Sequence, residues 1–350
     1  MNGLPNSLRR LSRSAPIARC AITTCTGFVR HGINQVDSEV SMKDPATSCL
    51  FLEEVVCCLC GHHHSTPFLT APDRVHFVPG IFTLRRCQNC GLVYQNPRPS
   101  PESSAAIYPA DYGPYNNLND DLHPDWQRLC AFIGRLQTQP GRLLDVGAGA
   151  GAFLRAMRVA LPEWSVTGVE PNARAAAAAR RTGAHVIQAT IETAPLDGTV
   201  WDAITLWNVL EHLPDPLAVL RRLRQLLSPG GFIYMTVPLC DSWDARLCGA
   251  YWCGWELPRH FYAFDRASLG QLLNAAGLIS SRSACLVGIE YHFTESLRLL
   301  INATVRQFTV RRLGIALTFS RPFRLLIRPY LWMAARMQRC TALTIAARAA

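Results

Sequence analysis

Lysine is almost missing from this 350-residue chain: of its 35 basic residues, Lys43 alone is not an arginine. Such a skew reads as the mark of an arginine-favouring genome, not of a mechanism. No run approaches the ~18 uninterrupted apolar residues of a membrane-crossing helix, which argues against a transmembrane segment. A secretory signal is not expected either, because no short apolar segment with a cleavage site is apparent near the start. Acidic residues are missing from both ends. Residues 1–36 hold five arginines and no Asp or Glu, residues 296–350 hold ten arginines and none, and the stretch between carries a net of −5. A nucleic-acid binder more often places its positive charge on the working domain. Here the charge lies at the ends, and no nucleic-acid partner is expected. Cysteine is plentiful, with fourteen residues, and their grouping points to metal more than to a secreted disulfide scaffold.

The length allows one large core or two modest ones. Residues 1–48 read as a tail without a core pattern. Within it, residues 1–41 are basic and acid-poor, as a mitochondrial-type transit peptide is. The preferred reading is a disordered tail, or a start codon assigned too early with Met42 as the beginning.

Residues 49–100 carry the most specific local pattern. Cys57-x-x-Cys60-Gly61 is answered by Cys87-x-x-Cys90-Gly91. Each pair followed by glycine makes a tight turn that aims two thiolates at one point, and two such turns supply four soft ligands for a tetrahedral Zn2+. Phe68, Val75, Phe77, Val78, Ile81, Phe82 and Leu84 lie between them, enough for a small antiparallel sheet. A module this small draws much of its folding energy from the metal. No coordination position is left open, so the site reads as structural. His62, His63 and His64 are read as a surface turn.

Residues 101–124 are rich in proline, asparagine and tyrosine and read as a linker. Tyr108, Tyr112 and Tyr115 either line a pocket beside the next domain or pack on the cysteine module. Trp126 to Leu136 has helical spacing.

The organising stretch is R-L-L-D-V-G-A-G-A-G-A-F-L, Arg142 to Leu154. Leu143, Leu144 and Val146 suit a strand buried on both faces. Gly147, Gly149 and Gly151 then let the backbone turn sharply and admit a ligand, ahead of a helix whose unpaired N–H groups attract polar atoms. A second strand, Ser165 to Val169, ends in Glu170, where a carboxylate can accept from both hydroxyls of a ribose. Further strands are expected at Ala184–Gln188, Ala203–Leu206, Phe232–Val237, near Ala284–Ile289, and at Leu343–Ala346, with helices between them. Strand–helix alternation with short loops specifies an α/β, Rossmann-like doubly wound sheet with its site at the strands' carboxyl ends. Gly147-x-Gly149-x-x-Ala152 with Glu170 also fits a dinucleotide fingerprint, so the loop alone leaves a nicotinamide-dependent oxidoreductase open.

Four segments together resemble the class I S-adenosylmethionine-dependent methyltransferases: L-D-V-G-A-G-A-G (144–151), V-E-P-N (169–172), N-V-L-E-H-L-P-D-P (208–216) and L-S-P-G-G-F (227–232). C-x-x-C-G, R-C-Q-N-C-G-L-V-Y-Q-N-P-R-P and W-E-L-P-R-H-F-Y-A-F (255–264) extend the likeness to bacterial small-molecule and sugar methyltransferases with an N-terminal zinc-ribbon module. The resemblance implies a seven-stranded sheet with an antiparallel last strand, spread over residues 125–350. It further implies that Asp145 supports the glycine loop and reaches the methionine end of S-adenosylmethionine. Glu170 would hold the ribose, Ile191 and Glu192 would neighbour the adenine, and Asn208 would border the methionine moiety. The implied acceptor is a small molecule, such as a nucleotide sugar, a glycolipid precursor or a natural-product intermediate. A non-catalytic zinc adaptor that kept the fold is the further alternative.

Methyl transfer needs a general base only if the acceptor must lose a proton. His212, with Glu211 to orient it, is the first candidate and His260 its competitor. The alternative is that Glu211 and His212 merely cap a helix or pack. Trp252, Trp255, Phe261, Tyr262 and Phe264 either roof the acceptor pocket or belong to the core. An acid-free, arginine-rich helical insertion is expected over about 295–339. Its basic flanks and aromatic residues suit peripheral contact with an anionic membrane by a cytoplasmic protein. A pocket cover or a dimer interface would account for it equally well.

Overall fold

The computed structural model describes residues 50–108, 112–116, 123–196 and 198–350. The expected tail at 1–48 lies outside those described residues, as do parts of the 101–124 linker.

The cysteine-rich segment builds five short strands: β1 (Leu52–Glu53), β2 (Ser65–Pro72), β3 (Ile81–Cys87), β4 (Val93–Gln95) and β5 (Arg98–Pro99). β2, β3 and β4 form an antiparallel meander, and β1 pairs with β5. Alternation along β3 buries Phe82 and Leu84 while Ile81 stays exposed, the pattern of a sheet with one covered face. Two short helices follow where the sequence suggested a linker, α1 (Ser104–Ile107) and α2 (Gly113–Asn116). The next helix, α3 (Pro124–Leu136), opens on a proline, whose missing N–H costs nothing in the first turn.

The expected alternation then appears as β6 (Arg142–Val146), α4 (Ala152–Ala160), β7 (Ser165–Val169), α5 (Ala173–Arg181), β8 (His185–Ile187), β9 (Trp201–Trp207), α6 (Pro216–Gln225) and β10 (Leu227–Pro238). After α7 (Trp243–Cys248) come β11 (Tyr262–Ala263), α8 (Arg266–Ala275) and β12 (Leu278–Ala284). Three helices, α9 (Ile289–Thr304), α10 (Phe308–Thr318) and α11 (Arg321–Arg336), precede β13 (Ala342–Ala349).

Seven strands make the main sheet, in the order β12-β13-β10-β9-β6-β7-β8. β6 to β10 are parallel, and β13 runs antiparallel to both β10 and β12. This is the doubly wound, seven-stranded arrangement with a reversed last strand that the motifs implied. The winding direction switches between β6 and β9, which opens a crevice at their carboxyl ends.

One strand is misplaced by the sequence reading. Strand six lies at Leu278–Ala284, not near Ala284–Ile289, and Ile289 instead opens α9. Four of its seven residues are exposed, so it lacks the apolar run that marks a buried strand, and its backbone bonds to β13 decide the outcome. The insertion begins earlier than expected, at Ile289, and Cys285 and Cys340 close its base as a disulfide with Cα atoms 6.2 Å apart.

β11 does not join the main sheet. It pairs with β4, so the cysteine-rich sheet runs β11-β4-β3-β2. Phe82, Leu84, Leu92 and Tyr94 share one apolar cluster with Leu144, Leu206 and Val237 of the main sheet. A fully buried ion pair crosses the same boundary: Arg259 donates to both carboxylate oxygens of Asp73, at 3.0 and 3.2 Å.

Candidate functional site

The glycine loop between β6 and α4 has positive φ at Gly147, Gly149 and Gly151 (72°, 52° and 86°), a region side chains rarely enter. Gly151 is held to glycine for a second reason. A Cβ there would stand 2.9 Å from the Ala179 backbone, so α5 packs directly on the loop. Beneath it, Asp145 is buried and accepts from the Thr205 hydroxyl at 2.6 Å. Burial pushes its carboxyl up to about 7.

Glu170 lies at the end of β7, also buried. Its two oxygens accept from the backbone N–H groups of Gly149 and Asn172, both at 2.8 Å. The acid and the glycine loop are thereby joined. A carboxylate offers about four lone-pair directions, so two remain for a diol. Asn208, at the end of β9, is exposed and holds a φ of 53°, with its N–H bonded to Thr236. Of the two expected adenine neighbours, Ile191 is buried in the core cluster and Glu192 is exposed. The loop, Asp145, Glu170 and Asn208 therefore all sit where the carboxyl ends of β6, β7 and β9 meet. Their donors and acceptors fit a nucleoside that carries a charged amino-acid tail.

The two competing histidines converge. A short 3-10 turn, Leu210–His212, follows β9 and carries Glu211 and His212. His260 arrives from the loop before β11, and the two imidazoles stand with ring centres 4.6 Å apart, nearly perpendicular. One ligating atom each from Glu211, His212 and His260 lies within 4.8 Å of the others. Nδ1 of His212 lies 3.1 Å from the carbonyl of Arg259, and Nδ1 of His260 lies 2.9 Å from that of Gly254. A hydrogen on Nδ1 of His212 would be shared between the Arg259 carbonyl and the Tyr108 hydroxyl, also at 3.1 Å, and would leave Nε2 with its lone pair, whereas Nε2 of His260 faces the Glu256 carboxylate at 3.5 Å. Burial holds both imidazoles neutral, down to about 3. Glu211 is fully buried with neither carboxylate oxygen hydrogen-bonded, and burial pushes it up to about 8. Such a trio can take one more occupant, a shared proton or a divalent cation.

Sequence reasoning passed over the residues that hold this trio. Arg259 supplies the carbonyl facing His212, while its guanidinium spans Asp73, Glu256 and the carbonyl of Ile107. Both Glu256 and Arg259 stood in the W-E-L-P-R-H-F-Y stretch, where neither was singled out. The tyrosines lie between the cysteine-rich segment and the candidate site. Tyr112 packs against His76 of the cysteine-rich segment, Tyr108 reaches Nδ1 of His212 at 3.1 Å, and Tyr115 feels the charge of Glu170. The aromatic residues offered as a roof, Trp252, Trp255, Phe261, Tyr262 and Phe264, are all buried in the core cluster.

The four expected metal ligands are together as well. Sulfur atoms of Cys57, Cys60, Cys87 and Cys90 lie within 4.8 Å of one another. Cys57 and Cys90 are 3.4 Å apart, and Cys60 and Cys87 are 3.6 Å apart, unbridged. Gly61 and Gly91 turn the chain at φ 70° and 79°, with their N–H groups bonded to the carbonyls of Cys57 and Cys87. Four thiols on two equivalent turns form a donor set that fits Zn2+.

A family model described as a methyltransferase domain matches residues 118–279. The ubiquinone biosynthesis O-methyltransferase of Xanthomonas axonopodis pv. citri is 32% identical over 164 residues, 43% of this chain and 68% of that protein. The chain belongs to the S-adenosylmethionine-dependent methyltransferases. That membership decides between the two nucleoside cofactors the glycine loop left open. The methyltransferase of the same name from Erwinia tasmaniensis is 27% identical over 194 residues, covering 52% of this chain and 76% of that one. The Vibrio parahaemolyticus protein is 37% identical over 102 residues, which span 43% of its length. Among solved structures, the plantazolicin methyltransferase BpumL in complex with SAH aligns at 16% identity and a TM-score of 0.44, covering 69% of this methyltransferase and 87% of BpumL.

Proposed function

We propose that this methyltransferase transfers a methyl group to a hydroxyl of a small molecule, with His212 as the general base. The observation that carries the reading is the convergence of Glu211, His212 and His260 beside the carboxyl end of β9. S-adenosylmethionine, when bound, supplies a methyl group on a sulfonium, activated for in-line displacement. The glycine loop and Asn208 would make room for it, Glu170 would accept from its ribose, and Asp145 would support the loop at its methionine end. The acceptor hydroxyl would give its proton to Nε2 of His212 as its oxygen takes the methyl group, with S-adenosylhomocysteine as the leaving group. The hydrogen bond to the Arg259 carbonyl keeps the ring in the tautomer that can receive that proton. His260 completes the wall on the acceptor side.

Oxygen is favoured as the acceptor atom because the site offers a proton acceptor, and because the curated relatives carry an O-methyltransferase name. Cys57, Cys60, Cys87 and Cys90 hold a structural Zn2+ in this reading, and the cysteine-rich segment (49–100) acts as a support joined to the catalytic domain (125–350). Mass spectrometry of products formed from labelled S-adenosylmethionine and a panel of hydroxylated small molecules tests the proposal. Labelled oxygen ethers support it. Transfer that His212→Asn leaves untouched overturns the role of the base. The expected loss is about 10²–10⁴-fold in kcat, with affinity for S-adenosylhomocysteine unchanged.

A further inference from the structure

α10 and α11 are turned inside out relative to ordinary surface helices. Thr318 is the one buried residue of α10, and Ile327 and Ala334 are the buried residues of α11. Phe308, Leu313, Leu317, Leu325, Leu326 and Trp332 are exposed, Leu313 at 71%, Leu326 at 75% and Trp332 at 67% of their full area. Leu313 and Leu317 are one helical turn apart, and Leu325 and Trp332 two turns apart, so each helix shows an apolar stripe. The opposite side of α10 rests on α9, where Gly314 lies against Ile301.

Arginines flank these stripes. From Ser296 to the end there is no Asp or Glu. Arg298, Arg324 and Arg339 are neutralised by Glu295, Glu290 and Asp241. Among the described residues, no carboxylate stands within ion-pair distance of Arg306, Arg311, Arg312, Arg321, Arg328 or Arg336. These six unpaired cations decide what can cover the face. A second copy docked by two-fold symmetry would set the same arginines against each other with no acid to offset them. Nucleic acid would neutralise the charge but leave exposed leucines and a tryptophan against phosphates. No described helix is long and apolar enough to cross a membrane. An anionic bilayer surface satisfies both features at once, because leucine and tryptophan side chains enter the headgroup–acyl boundary while guanidiniums meet lipid phosphates.

We infer that α10 and α11 form a docking face for anionic membrane, on which the enzyme lies without spanning it. The face is reached through α9, whose Ser296 hydroxyl accepts from the N–H of Cys253 in the loop leading to His260. The docked face therefore stands one helix away from the acceptor side of the site.

Sedimentation of the full-length protein with vesicles tests this, comparing phosphatidylcholine alone with phosphatidylcholine mixed with phosphatidylglycerol. Retention is expected on the anionic vesicles at low salt, with release at high salt as the charges are screened. The pairs Leu313→Glu with Leu326→Glu, and Arg311→Glu with Arg312→Glu, are each expected to weaken retention at least about tenfold. Calorimetry with S-adenosylhomocysteine checks that both variants keep the fold. The charge-reversal pair removes two guanidiniums that lie over the Phe308 ring but leaves Leu313, Leu317, Leu325 and Leu326 in place, so it remains informative if the leucine pair fails to fold. Three results overturn the inference: no retention on anionic vesicles at low salt, equal retention on phosphatidylcholine alone, or a stable dimer that Leu326→Glu dissociates.

Discussion

Glu170 already serves two backbone amides before any ligand arrives. Its carboxylate is thus oriented by the loop it would share with the cofactor, and little ordering remains to be done on binding. Glu170→Gln keeps the shape but removes the charge and one acceptor. The expected result is a ten- to hundredfold weaker affinity for S-adenosylhomocysteine by calorimetry, in line with about 1.5–3 kcal/mol for a hydrogen bond to a charged group. Buried titratable groups at the site also set a pH dependence of stability. His212 and His260 sit at about 3 in the fold against an ordinary 6.5. As pH falls from 6.5 towards 3, an unfolded chain gains protons that the fold refuses, so stability is lost on that side. Glu211 and Asp145 are shifted the other way, to about 8 and about 7 from 4.5 and 3.8. They hold protons that the unfolded chain releases, so stability also falls as pH rises from about 4 towards 8. The contribution of these four groups is best between roughly 4.5 and 6.5, where the opposing slopes cancel. Urea midpoints measured across pH should show this, and His212→Gln should soften the acid limb.

At the scale of elements, the buried Asp73–Arg259 pair is the most exacting contact described. Breaking one partner of a buried pair costs about 3–5 kcal/mol when the remaining charge is left uncompensated, and Glu256, 3.1 Å from Arg259, would offset part of that here. Asp73→Asn is therefore expected to lower the denaturation midpoint sharply. It should also reduce methyl transfer by more than it weakens S-adenosylhomocysteine binding, since Arg259 carries the carbonyl that orients His212. Little of this was legible beforehand. β6, β7 and the cysteine turns could be read because apolar runs, positive-φ glycines and ligand spacing are local signals. β12 could not, because its polar residues are held by cross-strand hydrogen bonds. β11 is two residues long, and nothing in its sequence says that its partner lies far upstream. Asp73 and Arg259 look like solvated charges until the fold places them opposite each other, 186 residues apart. The same holds for Cys285 and Cys340, which no spacing rule pairs. His212 and His260 were both singled out as rivals, and only the three-dimensional path showed that their rings stand side by side.

For the molecule as a whole, the cysteine-rich segment and the methyltransferase sheet share an apolar cluster, an ion pair and a strand. Removal of metal from the four cysteines should therefore be felt well beyond them. Treatment with a strong chelator is expected to release about one equivalent of Zn2+. Near-ultraviolet dichroism from the tryptophans around Trp252 and Trp255 should be lost with it, along with methyl transfer, and zinc should restore both. Loss of the metal without any change in those tryptophan signals would show the segment to be an independent appendage.

β11 also fixes a timetable for biosynthesis. The ribosome delivers Cys57 through Cys90 early, but the strand that finishes their sheet emerges only with Tyr262 and Ala263. Throughout that interval the growing polypeptide carries an open sheet edge and four reduced sulfurs. Nascent chains stalled before Tyr262 should therefore be alkylated at these sulfurs much faster than chains released after it.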